Sequence, residues 1–461
     1  NNEAQIRGGG VYVTGNNLTS GNVSVSGGSI IGNTAGFGDS LPANVGRGGG
    51  VYLEGGLFTM TGGVISDNHA NYRGGGIFLT KKPDLTKGVI SGNTAVDSGG
   101  GLCINGDALE LKSEEMEIFG NSAKNGGGVA VLNGEFILDG GAVGVEPGVK
   151  SGAESETPVE DEKFNKATEK GGGVYVKAEG TTTGEGTVAK TSATVKSGNI
   201  WYNSAKQGGG IYLDKGEGIF TLEGENASVS HNTATEGGGI YLYKDPNLNR
   251  GKIEQNTADE NGGGMYISDC LVTLNPTAEV TIRGNGAKNG AGIYIHDSSP
   301  DDPVTSDNPG DSGDTGDLAA YDAITQASTP IDKRVGLSVG EIGKDYNGFL
   351  NFIDNKAAVS GGAVCVDKGH FYLHSDKITV TGNKADENGG GVAVLKGNFT
   401  MTKGSIGKAE GANTAKNGGD VYVSDGEVWF KGGSVQYNEA TDGGGAYVTG
   451  GRIIMIDGSL N

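Results

Sequence analysis

The sequence predicts an all-β parallel solenoid, a β-helix of about fourteen three-strand coils carrying loop insertions, on three observations. A glycine-rich triplet followed by an aliphatic–X–aliphatic strand recurs fourteen times, starting at Gly8, Gly48, Gly74, Gly99, Gly126, Gly171, Gly208, Gly237, Gly262, Gly290, Gly361, Gly389, Gly418 and Gly443. Nine of the thirteen intervals are 25 to 29 residues, too short for a domain and suited to one coil of a stack. An asparagine recurs in every interval.

One coil shows how the pattern folds. From Gly48, the strand Val51-Tyr52-Leu53 leads to a Glu54-Gly55-Gly56 turn, then Phe58-Thr59-Met60-Thr61, then Gly62-Gly63 and Val64-Ile65-Ser66-Asp67-Asn68. Three short period-2 strands separated by glycine corners make one triangular turn, and stacking pairs each strand in parallel with its copy one coil away. In the first strand, positions one and three are aliphatic (Val11/Val13, Ile77/Leu79, Leu102/Ile104, Ile211/Leu213, Met265/Ile267) and are expected to point inward. The middle strand repeats the alternation at Phe58/Met60, Phe136/Leu138, Phe220/Leu222, Phe371/Leu373 and Phe399/Met401. Hydrophobics make up 34% of the chain, enough for a thin continuous core in which each strand buries one face.

The third strand ends in asparagine: Asn33, Asn68, Asn93, Asn121, Asn165, Asn203, Asn232, Asn256, Asn285, Asn355, Asn383, Asn413 and Asn438. Eleven of these thirteen have Ile, Val or Phe three residues earlier. An amide at a repeated corner can bond the next amide and the backbone that the turn leaves unpaired, so the expected role is a structural ladder.

Composition narrows the function. Ninety glycines with ten prolines and no G-X-Y period exclude collagen. A net charge of −21 argues against nucleic acid and anionic membrane surfaces, which require clustered Lys/Arg. No apolar run is long enough to span a bilayer, so no direct membrane insertion is expected of this segment. Three cysteines give no disulfide framework; Cys103 and Cys365 hold equivalent strand positions many coils apart.

Position two of the first strand is expected to face outward, and it is aromatic in ten of fourteen coils, including Tyr175, Tyr212, Tyr241, Tyr266 and Tyr294. An exposed tyrosine ladder suits sugars and protein partners, although stacked aromatics also stabilise strand pairs in their own right. Cys103, Ala130, Cys365 and Ala393 leave gaps in it that can admit a side chain from elsewhere. Insertions are expected near 36–47, 146–163, 179–191 and 297–344. The last contains Asp307, Asp311, Asp314 and Asp317, read as a flexible Asp/Ser/Pro/Gly tract, with a calcium site as the alternative. No other cofactor is implied.

Gly361-Gly362-Ala363-Val364 and Phe352-Ile353-Asp354-Asn355 together resemble the GGA[I/L/V] and FxxN repeats of chlamydial-type polymorphic membrane proteins and related bacterial surface proteins. The other coils carry the variant Gly-Gly-Gly-[Val/Ile] with [Ile/Val]-x-x-Asn, so the resemblance covers nearly the whole chain apart from its insertions. It implies a right-handed, single-stranded parallel β-helix exposed at a bacterial cell surface or secreted, used for adhesion, with no catalytic residues to carry over.

The expected function is therefore an adhesin-like, non-catalytic module that binds host or neighbouring-cell glycans or proteins in the extracellular space. Two alternatives remain: a structural spacer or filament that associates with further copies of itself through its sheet edges, and a polysaccharide-active lyase or hydrolase. Acidic residues are scattered along the sequence, and the two close histidines, His370 and His374, have no evident third ligand or acid partner.

Overall fold

A computed structural model describes residues 1–15, 21–38, 42, 44–145, 163–179, 191–299, 335–340 and 346–461. The chain is a right-handed, all-β parallel solenoid. Three faces repeat. The first carries the strand after each triplet, as Val51–Leu53, in parallel register Val51 to Ile77, Tyr52 to Phe78 and Leu53 to Leu79. The second carries the longer strand that follows, as Phe58–Ser66, and the third a strand as short as His69–Ala70. The third face alone forms a sheet of fourteen strands, one from each coil.

The strand boundaries differ from those expected. The second and third expected strands run together over Phe58–Ser66, kinked by register shifts around Thr61 that absorb Gly62-Gly63. The third face is instead made by residues just after the asparagine. Two residues carry no readable alternation, but in all thirteen intervals an alanine follows the asparagine by two positions, as in Asn93-Thr94-Ala95. Ala70, Ala95, Ala123, Ala258, Ala287, Ala357 and Ala385 are buried, a column of methyl groups where the coil is narrowest.

That narrowness explains the triplets. At Gly237 φ is +63°, a left-handed corner. A Cβ on Gly238 would stand 2.5 Å from the carbonyl oxygen of Thr257 on the third face of the next coil. One on Gly239 would stand 2.6 Å from the carbonyl oxygen of Gly264 and 2.9 Å from the Asn256 amide nitrogen. Triplet, short strand and ladder thus meet almost backbone to backbone. Inside, the expected stacks are buried: Val51, Leu53, Ile77 and Leu79 from the first face, and Phe58, Met60, Phe136, Leu138, Phe220, Leu222, Phe371, Leu373, Phe399 and Met401 from the second, within one hydrophobic cluster.

The asparagine ladder is present and begins one step earlier than expected, at Asn2, whose amide donates to Asn33 Oδ1 at 2.8 Å. In a typical step Asn68 donates its backbone N–H (3.1 Å) and its side-chain Nδ2 (2.9 Å) to Asn93 Oδ1, and Nδ2 also donates to the Ile30 carbonyl (2.9 Å). The same contacts carry through Asn121, Asn203, Asn232, Asn256, Asn285, Asn355 and Asn383. Asn165 and Asn413, which lack the aliphatic residue three before, are on the ladder too and fully buried.

The residue before the ladder asparagine is left-handed in most coils. It is glycine at Gly32, Gly92, Gly120, Gly284 and Gly382, but Asp67, Tyr202, His231, Gln255, Asp354 and Tyr437 hold φ of 50–60° there. Gln255 is exposed. Gln255→Gly should therefore raise stability by about 0.5–1 kcal/mol, the left-handed cost minus the entropy glycine adds to the unfolded chain, read as an upward shift of the urea midpoint.

Most of the expected insertions at 146–163, 179–191 and 297–344 lies outside the described residues, whereas 36–38, 42 and 44–47 of the one at 36–47 are described. Part of the one at 297–344 is described as well. Gly336–Val339 is a second-face strand paired with Leu271–Leu274 and His370–Leu373, and Leu337 and Val339 point into the core. The expected span to 344 therefore swallowed a genuine strand, whose alternation is only four residues long.

Candidate functional site

Tyr175, Tyr212, Tyr241, Tyr266 and Tyr294 align in register on the first face, with successive ring centroids 5.8, 5.2, 4.5 and 5.1 Å apart. They are not an exposed platform, because their residual exposure is 4, 0, 3, 6 and 7%. Rings stacked at coil spacing shield one another. Two side chains add cover: Tyr243, just past the strand, packs on Tyr241 at 5.2 Å, and the ammonium of Lys170, just before a triplet, lies 4.7 Å from the Tyr212 ring centre. Two hydroxyls find partners, Tyr175 on Asp214 (2.9 Å) and Tyr241 on Tyr243 (3.4 Å), that of Tyr212 is buried without one among the described residues, and burial raises all five phenol pKa values. The column is a second core outside the first.

The gap at Cys103 and Ala130 is also closed. Nearby, Arg73 takes Glu179 in a two-pronged pair at 2.7 Å and Asp97 at 2.7 Å, linking coils 106 residues apart in sequence. Burial works against the guanidinium charge, and the two carboxylates more than offset it. Cys103 beneath is fully buried, its thiol pushed up to about 12 and so inert at neutral pH.

An open site lies elsewhere, on the outer side of the second face. A cleft of about 620 Å³ is lined by Glu114, Glu117, Phe119, Lys163, Asn199, Trp201 and Asn226. Its floor is nearly bare backbone. Gly140, Gly141, Gly144 and Gly198 line it, and Ala142 sits in register between Glu117 and Asn199. Register shifts between Leu138 and Ala142 mark the bulge that opens the sheet here. Trp201 follows the outward Asn199 by two residues, and its buried indole N–H has no hydrogen-bond partner among the described residues. Val145 and Lys163, at the rim, flank the acidic stretch 146–162, which lies outside the described residues.

Beside the cleft runs an aromatic ridge. Phe164, Tyr202 and His231 each precede a ladder asparagine and stack outward, with centroids 5.7 and 4.8 Å apart. Tyr202 and His231 hold left-handed backbone where five other coils use glycine. Burial lowers the His231 pKa, leaving the imidazole neutral at physiological pH. Aromatic faces, two carboxylates, two amides and an ammonium around a cleft of this size can stack a sugar ring and bond its hydroxyls.

Sequence reasoning missed this cleft. Its signal was Gly140-Gly141-Ala142 and Gly198 inside strands, near one of only two tryptophans in the chain. Asp307, Asp311, Asp314 and Asp317 lie outside the described residues. Among the described residues no group of three or more His, Cys, Asp or Glu side chains is placed to hold a metal ion, and no helix is long and apolar enough to cross a membrane.

A family model described as a right handed beta helix region matches residues 154–310. No curated protein and no solved structure matches the chain.

Proposed function

We propose that this β-helix is a non-catalytic glycan-binding rod of the bacterial exterior, adhesin-like in use, with the Trp201 cleft as its binding site. The observation that carries the reading is the cleft itself. It combines Trp201, Glu114, Glu117, Asn199 and Asn226 over a glycine floor. The paired Gly-Gly-Ala and Phe-x-x-Asn elements, similar to those of polymorphic membrane proteins, support the surface and adhesin parts of the reading.

A glycan array probed with the intact chain tests it. Trp201→Ala is expected to weaken binding to the best glycan about thirtyfold, the usual cost of about 2 kcal/mol for truncating a central aromatic anchor. A folded Trp201→Ala protein that binds as well as the parent would move glycan binding away from the cleft, and a parent that binds no glycan would leave the spacer reading in its place. The two carboxylates in one cleft favour a second reading, polysaccharide cleavage. Under it the parent shortens the bound glycan and Glu117→Gln does not; under the binding reading the glycan stays intact with both.

A further inference from the structure

Seven arginines occur in the whole chain, and three of them, Arg7, Arg47 and Arg73, stand immediately before the first three triplets. The structure places them in one column, Arg7 bridged to Arg47 and Arg47 to Arg73 by backbone pairing. Guanidiniums one coil apart, at about 4.8 Å between strands, repel unless countered. In a chain of net charge −21, such a column runs against the overall balance.

The two outer members are countered from within. Arg7 pairs with Glu54 at 3.2 Å, and Arg73 with Asp97 and Glu179 at 2.7 Å. The middle one is not. Arg47 has only rings beside it, Tyr72 at 5.2 Å and Phe78 at 5.7 Å, with no ion pair among the described residues. Among the described residues its Nε, like that of Arg7, is buried without a hydrogen-bond partner. A guanidinium set against aromatic rings without an acidic partner can offer its terminal N–H groups to a ligand with two oxygens in one plane. Of these rings Tyr72 is the nearer, and it is only half-buried. A charged fork beside an open ring fits a sugar that carries an oxyanion.

We propose that Arg47, with Tyr72 as the adjoining ring, is a binding site for the oxyanion of an acidic glycan, a carboxylate or a sulfate. It is independent of the Trp201 cleft, which lies several coils further along the rod. The measurement is the Arg Nε–Hε region of the ¹⁵N spectrum of the full chain, titrated with glucuronate, glucose 6-sulfate and glucose. The Arg47 signal, assigned by its loss in Arg47→Lys, is expected to shift saturably with an acidic sugar and not with glucose. Whichever acid saturates it at the lower concentration names the group. Arg47→Lys keeps the charge but loses the fork, and should bind the same sugar at least fivefold more weakly by calorimetry. No shift, an equal shift with glucose, parallel shifts of every arginine signal, or a response only to a glutamate-rich peptide would overturn the proposal.

Discussion

Asn232→Ala should destabilise the chain by about 3–6 kcal/mol, the largest loss expected from any single side chain outside the apolar core. Asn232 is fully buried and works in both directions. It accepts the Asn203 backbone N–H (3.0 Å) and amide (2.9 Å), and it donates to Asn256 Oδ1 (3.0 Å) and the Ile200 carbonyl (2.9 Å). Alanine leaves the Asn203 donors and the Ile200 acceptor facing a dry interior, at about 1–3 kcal/mol for each buried group without a partner. The apolar core at Val229 is untouched, so the loss belongs to the ladder. Coils contact only their neighbours, so the damage should be local. Hydrogen exchange is expected to lose protection at Asn203 and in the flanking coils, while the amides around Asn383 exchange as before. Unchanged protection at Asn203 would show that the ladder contributes little.

Asp420→Gly should do the reverse. Asp420 fills the third place of its triplet, where other coils have glycine or, at Ala363, alanine. It is fully buried; Oδ1 accepts the Asn413 amide at 3.2 Å, and Oδ2 has no partner. That bond also diverts the ladder, because the Asn413 side chain donates to Asp420 while only its backbone N–H reaches Asn438 Oδ1, at 3.2 Å. Removing the unpartnered oxygen and freeing Asn413 should add about 2–3 kcal/mol near pH 7. Burial raises the Asp420 pKa well above its ordinary value, with the Asn413 bond opposing only in part. The folded form thus keeps its proton at pH values where the unfolded form, near 3.9, has lost it. The parent loses stability as pH rises from about 4 toward the folded pKa, and the glycine variant does not. The gain from Asp420→Gly should therefore be larger at pH 7 than at pH 4, as thermal midpoints of both proteins at both values will report. An equal gain at both would mean that the carboxyl is ionised, or neutral, in both folded and unfolded chains alike.

Much of the fold could be read from residues because its signals are short and repeated. Phe58/Met60 and Val51/Leu53 alternate, so their inward direction follows from the pleat alone. Asn93 is the polar exception at a fixed step in an apolar pattern, and a buried amide at such a step has to bond its copies. The tyrosines show where this reasoning stops. Alternation tells that Tyr212 lies on the opposite side from Ile211 and Leu213, but not what covers that side; Tyr243 and Lys170 arrive from neighbouring coils. The Trp201 cleft was harder still, because it is defined by missing side chains. Gly140 and Gly144 come from one coil and Gly198 from the next, 54 residues past Gly144 in sequence, and each alone reads as a corner. Arg47 was in plain view before its triplet, but its lack of a partner is a property of three stacked coils.

The parallel pairing of each strand with its copy one coil on also governs how the rod takes force. The backbone bonds between coils, like those of the ladder, all point along the long axis. Sideways bending must stretch many of these bonds and compress the aliphatic stack at once, so the rod is stiff. A steady pull on the chain at one end meets only the bonds of the last coil. Tension therefore peels coils one after another, each yielding 25 to 29 residues of slack in the regular intervals, about 80–100 Å of extended chain. Such a molecule is a rigid strut under bending and a reel under tension.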